Sequence, residues 1–294
     1  MTAPRQVLPG ITYLVSHRCS ERRFFLRPTK LSSDVFRYLL AVAAQRCGIQ
    51  LHAFCVMSNH YHLVLTDPHA RLPAFQQFLD SLIGRSLNAL LGRKEAFWGP
   101  DSYSAVELAG PEAILDKTTY TLANPVAAGL VRRGRRWPGL WTSPDSIGAP
   151  GCLVKRPNHF FDPDGTMPAS VTLTLTTPLG FASPAAFRDR LTSALSAAED
   201  EAARTSGPFL GVPRILKQRW SARASSPEPL GRLNPRVAGR NKWKRIERLT
   251  CLASFLADYR AALQDWRAGR RDALFPAGTY LMRLACGVTC APAG

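Results

Sequence analysis

Histidine is scarce in this chain, yet four of its six histidines (His52, His60, His62 and His69) fall between positions 52 and 69. Two of them stand as His60-Tyr61-His62 at the head of the run HYHLVLT, whose apolar and β-branched content reads as a strand. On a strand, residues i and i+2 share a face. Both imidazoles would then project from one side, close enough to bind one metal ion, while Tyr61 points into the opposite layer. Two neutral imidazoles on a stiff strand make a preorganised pair of nitrogen ligands. A polar face at a sheet edge is the alternative, and the H-x-H spacing alone does not separate the two. His52 reads as a sheet residue and His69 as a loop residue. The seven cysteines are widely spaced with no C-x-x-C, which excludes a disulfide framework and a zinc ribbon.

The elements that would position these histidines follow from periodicity. Ile11–His17 is an apolar, β-branched run and predicts a strand, and Arg18–Lys30 is an Arg-rich connection. Leu31–Cys47 has the helical period, with Gly48 as its stop. Ile49–Met57 predicts a buried strand, Ser58-Asn59 a turn, and His60–Thr66 the next strand. Leu72–Leu91 is helical and ends at Gly92, Tyr103–Leu108 is a short strand, and Pro111–Thr119 opens a helix. The order β-α-β-β-α-β-α predicts an α+β fold of ferredoxin-like (split βαβ) plan, an antiparallel sheet with helices on one face, over residues 8–145. Beyond it, 146–294 predicts a basic, mixed and mostly helical C-terminal extension. In that extension Pro144–Pro168 reads as a link, Val171–Leu175 as a strand, and Pro184–Arg204 and Thr250–Arg267 as helices.

Charge narrows the class of partner. The chain carries 38 Lys+Arg against 21 Asp+Glu, a formal net charge of +17. A polyanion is the expected partner, nucleic acid first. Arg-heavy composition offers a second source, since Arg supplies 31 of the 38 cations. The excess is uneven: residues 208–249 hold 11 basic and 2 acidic side chains. Lys242, Lys244, Arg245 and Arg232 lie there, interleaved with Trp220 and Trp243. Cations that track phosphates beside rings that stack on bases are the inventory of single-strand binding. The alternative is a solvated loop whose tryptophans plug the core. No window approaches 18 uninterrupted apolar residues, and Met1–Gly10 lacks a signal core, so a cytoplasmic protein without a membrane span is expected.

Two blocks carry a resemblance. Met57-Ser58-Asn59-His60-Tyr61-His62 is followed, some sixty residues on, by Tyr120-Thr121-Leu122-Ala123-Asn124-Pro125-Val126-Ala127-Ala128-Gly129-Leu130-Val131. Together they resemble the HUH superfamily of single-strand DNA nucleases. Within it they resemble the single-tyrosine transposases, above all the REP-associated tyrosine transposases, over roughly residues 8–145. Trp98–Tyr103 sits where that family has an aromatic stretch entering a strand.

The resemblance implies that His60 and His62 ligate Mg2+ or Mn2+, which polarises the scissile phosphate. It implies that Tyr120 is the nucleophile, leaving a 5′-phosphotyrosine and a free 3′-OH. A free phenol titrates near pH 10, so activation is required, and Lys117, one helical turn earlier, could favour the phenolate. Asn124, at i+4 from Tyr120, is either a third ligand or the cap of a new helix that begins at Pro125. Glu107 and Asp116 are other carboxylates that could reach the site. Arg132, Arg133, Arg135 and Arg136 could grip DNA phosphates, or equally form a solvated helix end. The expected partner is single-stranded DNA, in palindromic repeat hairpins, near the bacterial nucleoid, with a homodimer as one allowed assembly. Departures from the family are Thr121 in place of the common Ile, a partial match at Trp137–Ser143, and some 150 additional residues. An inactive DNA binder is the alternative. A replication initiator or relaxase is another, although no phosphate-binding G-x-x-x-x-G-K-[ST] motif and no second tyrosine near Tyr120 occur.

Overall fold

The structure, a computed structural model, describes residues 4–100, 103–225 and 235–292. Arg232 and the Asp101-Ser102 pair of the aromatic stretch lie outside the described residues, as do Met1–Ala3. The first half runs β1 (Ile11–Arg18), α1 (Lys30–Cys47), β2 (Gln50–Val56), β3 (His60–Asp67), α2 (Leu72–Leu91), β4 (Ser104–Leu108) and α3 (Pro111–Ala127). The second half adds β5 (Cys152–Lys155), β6 (Ser170–Leu173), α4 (Pro184–Thr205), α5 (Val212–Lys217), β7 (Val237–Ala238), α6 (Lys242–Arg267) and α7 (Leu281–Cys286). The main sheet has the order β2-β3-β1-β4-β7. Its first four strands pair antiparallel in the split βαβ arrangement.

Alternation along the strands sorts the side chains into two layers. Tyr13, Val15, Tyr61, Leu63 and Leu65 face α1 and α2, where Phe36, Leu39, Phe75 and Leu79 complete a core. Leu14, Val64, Val106 and Leu108 face the other way and pack under Ile114 and Leu122 of α3 and Phe187 and Leu191 of α4. The α+β plan therefore stands, with two corrections. Helices cover both faces rather than one: α1 and α2 lie over the larger apolar face, and the apolar patch of Leu14, Val64, Val106 and Leu108 on the other face is covered by α3 and α4. The sheet is also mixed: β7 adds to β4 in parallel, Glu107 opposite Val237 and Leu108 opposite Ala238.

The chain after residue 146 is largely wrapped around this core. Val154, Val171, Leu173 and Leu175 join the layer on the α1 side, and Ile215 packs with Cys55, Met57, Val131 and Trp137. A separate small core forms around Ala262, Phe275 and Val288. The Pro/Gly-rich link contains β5, paired with β6. Helix α6 starts at Lys242 rather than Thr250. Asn241 Oδ1 accepts from the amides of Trp243 and Lys244 at 2.9 and 3.1 Å and caps it. Its first turns are exposed on nearly all sides, so no apolar period marks them. No described helix is long and apolar enough to cross a membrane.

Candidate active site

The site is built on the end of β3 and the last turns of α3. Tyr61 is fully buried on the α2 side, with its hydroxyl 2.6 Å from Asp80 Oδ1 and 2.8 Å from Gln76 Oε1. A one-residue slip of β3 would expel this ring and turn the histidines inward, so Tyr61 fixes the register that presents them. His60 and His62 emerge on the α3 side, with ring centroids 4.9 Å apart.

Local hydrogen bonds decide which nitrogen each ring offers. Asn59 Nδ2 donates to the carbonyl of Arg22 at 3.2 Å, which leaves Asn59 Oδ1 as an acceptor. That oxygen lies 2.7 Å from His60 Nδ1, so Nδ1 carries the proton and the Nε2 lone pair is presented outward. Burial pushes the His60 imidazolium down to about 4, and the positive charges of Arg18 and Arg22 push the same way against a hydrogen bond to Asn124. His62 is depressed further, by burial first and then by His60 and Arg18. Both rings are neutral at neutral pH, the state a metal ligand requires.

Helix α3 brings the second block to them. Tyr120 and Asn124 are one turn apart on one face. The Tyr120 ring stands edge-on to His62 with centroids 5.3 Å apart, and Asn124 Nδ2 lies 3.3 Å from His62 Nε2. Tyr120 is 47% exposed, unusual for a ring at a packed helix face, and so open to a strand in solution. Lys117 Nζ sits 5.5 Å from the Tyr120 ring centroid.

Asn124 is not a cap. Helix α3 continues through Pro125 to Ala127, and the indole of Trp141 donates to the Leu122 carbonyl at 2.9 Å in that last turn. The helix then stops in a Schellman turn. Gly129 has φ +67°, its amide donates to the Val126 carbonyl, and the Leu130 amide donates to the Pro125 carbonyl. The Asn-Pro-Val…Gly-Leu spacing is thus a helix terminator placed one turn beyond the tyrosine.

The other candidate carboxylates are engaged elsewhere. Glu107 points to the α1/α2 side, opposite Tyr13, and accepts from Arg248 at 2.6 and 3.1 Å. Asp116 accepts both arms of Arg240 at 2.6 and 2.7 Å. That pair lies one turn before Tyr120 on the same stripe of α3, so it lays the start of α6 beside the tyrosine's helix. Lys242, Lys244 and Arg245 follow directly and are exposed, as is Trp243 at 76%. Trp220 instead packs on Phe25, with ring centroids 6.0 Å apart. Arg132, Arg135 and Arg136 are exposed. Arg133 ties α4 to the end of α3 through Asp200 at 2.7 Å and Glu199 at 3.3 Å.

Three residues enter the site that sequence reasoning assigned no part in it. Asn59 orients His60, while Arg18 and Arg22 set the local field. Asn59 was visible as a motif position, and its adjacency to His60 was the only signal. The pairing of Arg18 with His60 across β1 and β3 has no signal in a single sequence.

A solved REP-associated tyrosine transposase bound to a REP hairpin is similar over 47% of this chain and 81% of its own, at 15% identity and a TM-score of 0.40. A candidate transposase of Deinococcus radiodurans is similar over 36% of this chain and 85% of its own, at 22% identity and a TM-score of 0.29. No known family profile matches the chain, and no curated protein matches it significantly. Both of these structural neighbours are described as transposases.

Proposed function

We propose that the chain is a single-tyrosine transposase, which cuts and rejoins single-stranded, hairpin-forming DNA through a 5′-phosphotyrosine. One observation carries this reading: a half-exposed tyrosine stands against one of two neutral histidines on a single strand face, and the Asn124 amide meets that same histidine. The residues fit a divalent cation, Mg2+ or Mn2+. His60 and His62 offer imidazole nitrogens, and a half-turn of the Asn124 amide presents its oxygen where its nitrogen now lies. When bound, such a cation would polarise the scissile phosphate and offset its charge.

The chain's own groups account for the rest. Tyr120 Oη forms a bond to phosphorus as it loses its proton, the P–O3′ bond breaks, and the 3′ oxygen takes up a proton. The number of phosphodiester bonds is conserved, so a second 3′-OH can reverse the step on a new strand. Lys117 sets a positive charge beside the phenol that must ionise. The exposed cations at the start of α6 and at Arg132, Arg135 and Arg136 supply the phosphate contacts that hold a strand.

The test is a hairpin oligonucleotide taken from palindromes flanking the gene, incubated with the protein and Mn2+. A denaturant-resistant protein–DNA adduct is expected. It should vanish in Tyr120→Phe while DNA binding persists, and His60→Ala should remove cleavage. An undiminished adduct in Tyr120→Phe overturns the reading.

A further inference from the structure

We propose that the small cavity where β7 joins β4 is a phosphate-binding site, with Arg236 as the residue that grips the anion. This site is separate from the strand-transfer site and does not depend on that reading. The cavity, about 50 Å3, is lined by Arg5, Tyr13, Tyr103, Glu107, Arg236 and Arg248 among others. Tyr13 and Glu107 are register partners on β1 and β4, and Tyr13 belongs to the layer under α1 and α2. The cavity therefore lies on the opposite side of the sheet from Tyr120. The backbone pins Arg236 there: its carbonyl accepts from the Glu107 amide at 2.9 Å, one residue before β7 pairs with β4.

The lining is cationic. It holds three guanidiniums and one carboxylate, and that carboxylate is taken by Arg248, which donates to Glu107 at 2.6 and 3.1 Å. Arg5 is held by Tyr103, its guanidinium 3.8 Å from the ring centroid and donating to the carbonyl. The Arg236 side chain is partly buried and makes no hydrogen bond or ion pair among the described residues. Burial, then the charge of Arg5, lowers the pKa of Arg236, but arginine stays charged in proteins. One sheltered cation thus faces another, and an oxyanion between them would offset both. Tyr13 adds a donor rather than a competing anion, because burial and then Glu107 raise its phenol above the ordinary value. A cavity of this size has room for a few waters, which suits a phosphate group and excludes a nucleobase. The planar fork of arginine matches two oxygens of a phosphate.

The test is calorimetric titration of inorganic phosphate into the full chain at constant ionic strength, with no divalent ion added. One saturable site is expected. Arg236→Ala should weaken it about 10- to 100-fold, the loss of a charged hydrogen-bond partner. Arg85→Ala, which removes an exposed cation of α2, should leave it unchanged. Glu107→Gln should tighten it several-fold, a gain that a misfolded variant would not give. Tyr120→Phe should bind phosphate as the wild type does, so a failed DNA adduct and a failed phosphate site are read separately. Oligo(dT) carrying a 5′-phosphate or a 5′-hydroxyl then gives the source of the phosphate. Tighter binding of the phosphorylated strand, lost in Arg236→Ala, assigns a strand end, and equal binding of the two strands assigns the free ion. No saturable site, undiminished affinity in Arg236→Ala, an equal loss in Arg85→Ala, weaker binding by folded Glu107→Gln, or loss in Tyr120→Phe each overturns the assignment.

Discussion

The two faces of β3 are opposites. On one, Tyr61, Leu63 and Leu65 are fully buried, and Asp80 gathers the Tyr61 hydroxyl at 2.6 Å and His17 Nδ1 at 3.0 Å. On the other, His60 is half-buried, His62 has a buried Nδ1 without a hydrogen-bond partner among the described residues, and a half-exposed tyrosine lies against His62. The strand spends one face on packing and register and the other on chemistry, and period two keeps the jobs separate. Damage to the first face should cost stability. Damage to the second should cost reaction or ligand affinity while leaving the fold intact.

The largest effects belong to the open face. Tyr120→Phe and His60→Ala should each lower strand cleavage by about 10³-fold or more, with thermal melting close to that of the wild type. Loss of melting temperature in parallel with activity would collapse the distinction. The closed face should give the converse. Leu63→Ala removes a fully buried side chain and should cost about 2–5 kcal/mol in urea unfolding, with Mn2+ affinity of the folded fraction little changed.

A third histidine sharpens the contrast. His52 is buried, bonded to the Thr176 carbonyl and to Thr66 Oγ1, each at 2.8 Å, and burial lowers its imidazolium to about 4. Unfolded, it titrates near 6.5. The unfolded chain therefore binds this proton first, and stability is complete above about pH 6.5 and declines as pH falls toward 4. His52 should contribute about 3 kcal/mol to that decline. Unfolding of wild type and His52→Asn between pH 7 and pH 4 measures it, and the variant should show the shallower slope. The smallest effect is expected at Asn59. Asn59→Ala frees the His60 ring, and Mn2+ affinity should fall about 10- to 100-fold by calorimetry, with the melting temperature nearly unchanged.

Much of this was legible in the sequence, for identifiable reasons. Period two placed His60 and His62 on one face, the 3.6 period located α1, α2 and α4, and the two motif blocks set Tyr120 and Asn124 together. What stayed hidden depends on distant parts of the chain. The bias of a residue before proline left Asn124 undecided between cap and ligand, and a helix that runs on through Pro125, with Trp141 against its last turn, excludes the cap. Glu107 and Asp116 looked available because their partners, Arg248 and Arg240, lie more than a hundred residues away. The start of α6 carried no apolar period because it is solvated. Arg18 became visible only once the β1–β3 register was known.

The central claim is that Tyr120 is the group to which DNA becomes attached. The most direct measurement is mass spectrometry of peptides from the protein after reaction with the hairpin oligonucleotide, Mn2+ and a nuclease that trims the DNA. A nucleotide joined by phosphodiester to Tyr120, formed only with the divalent ion, is the predicted result. Cleaved DNA with no modified peptide, or a nucleotide carried by a different residue, would contradict it.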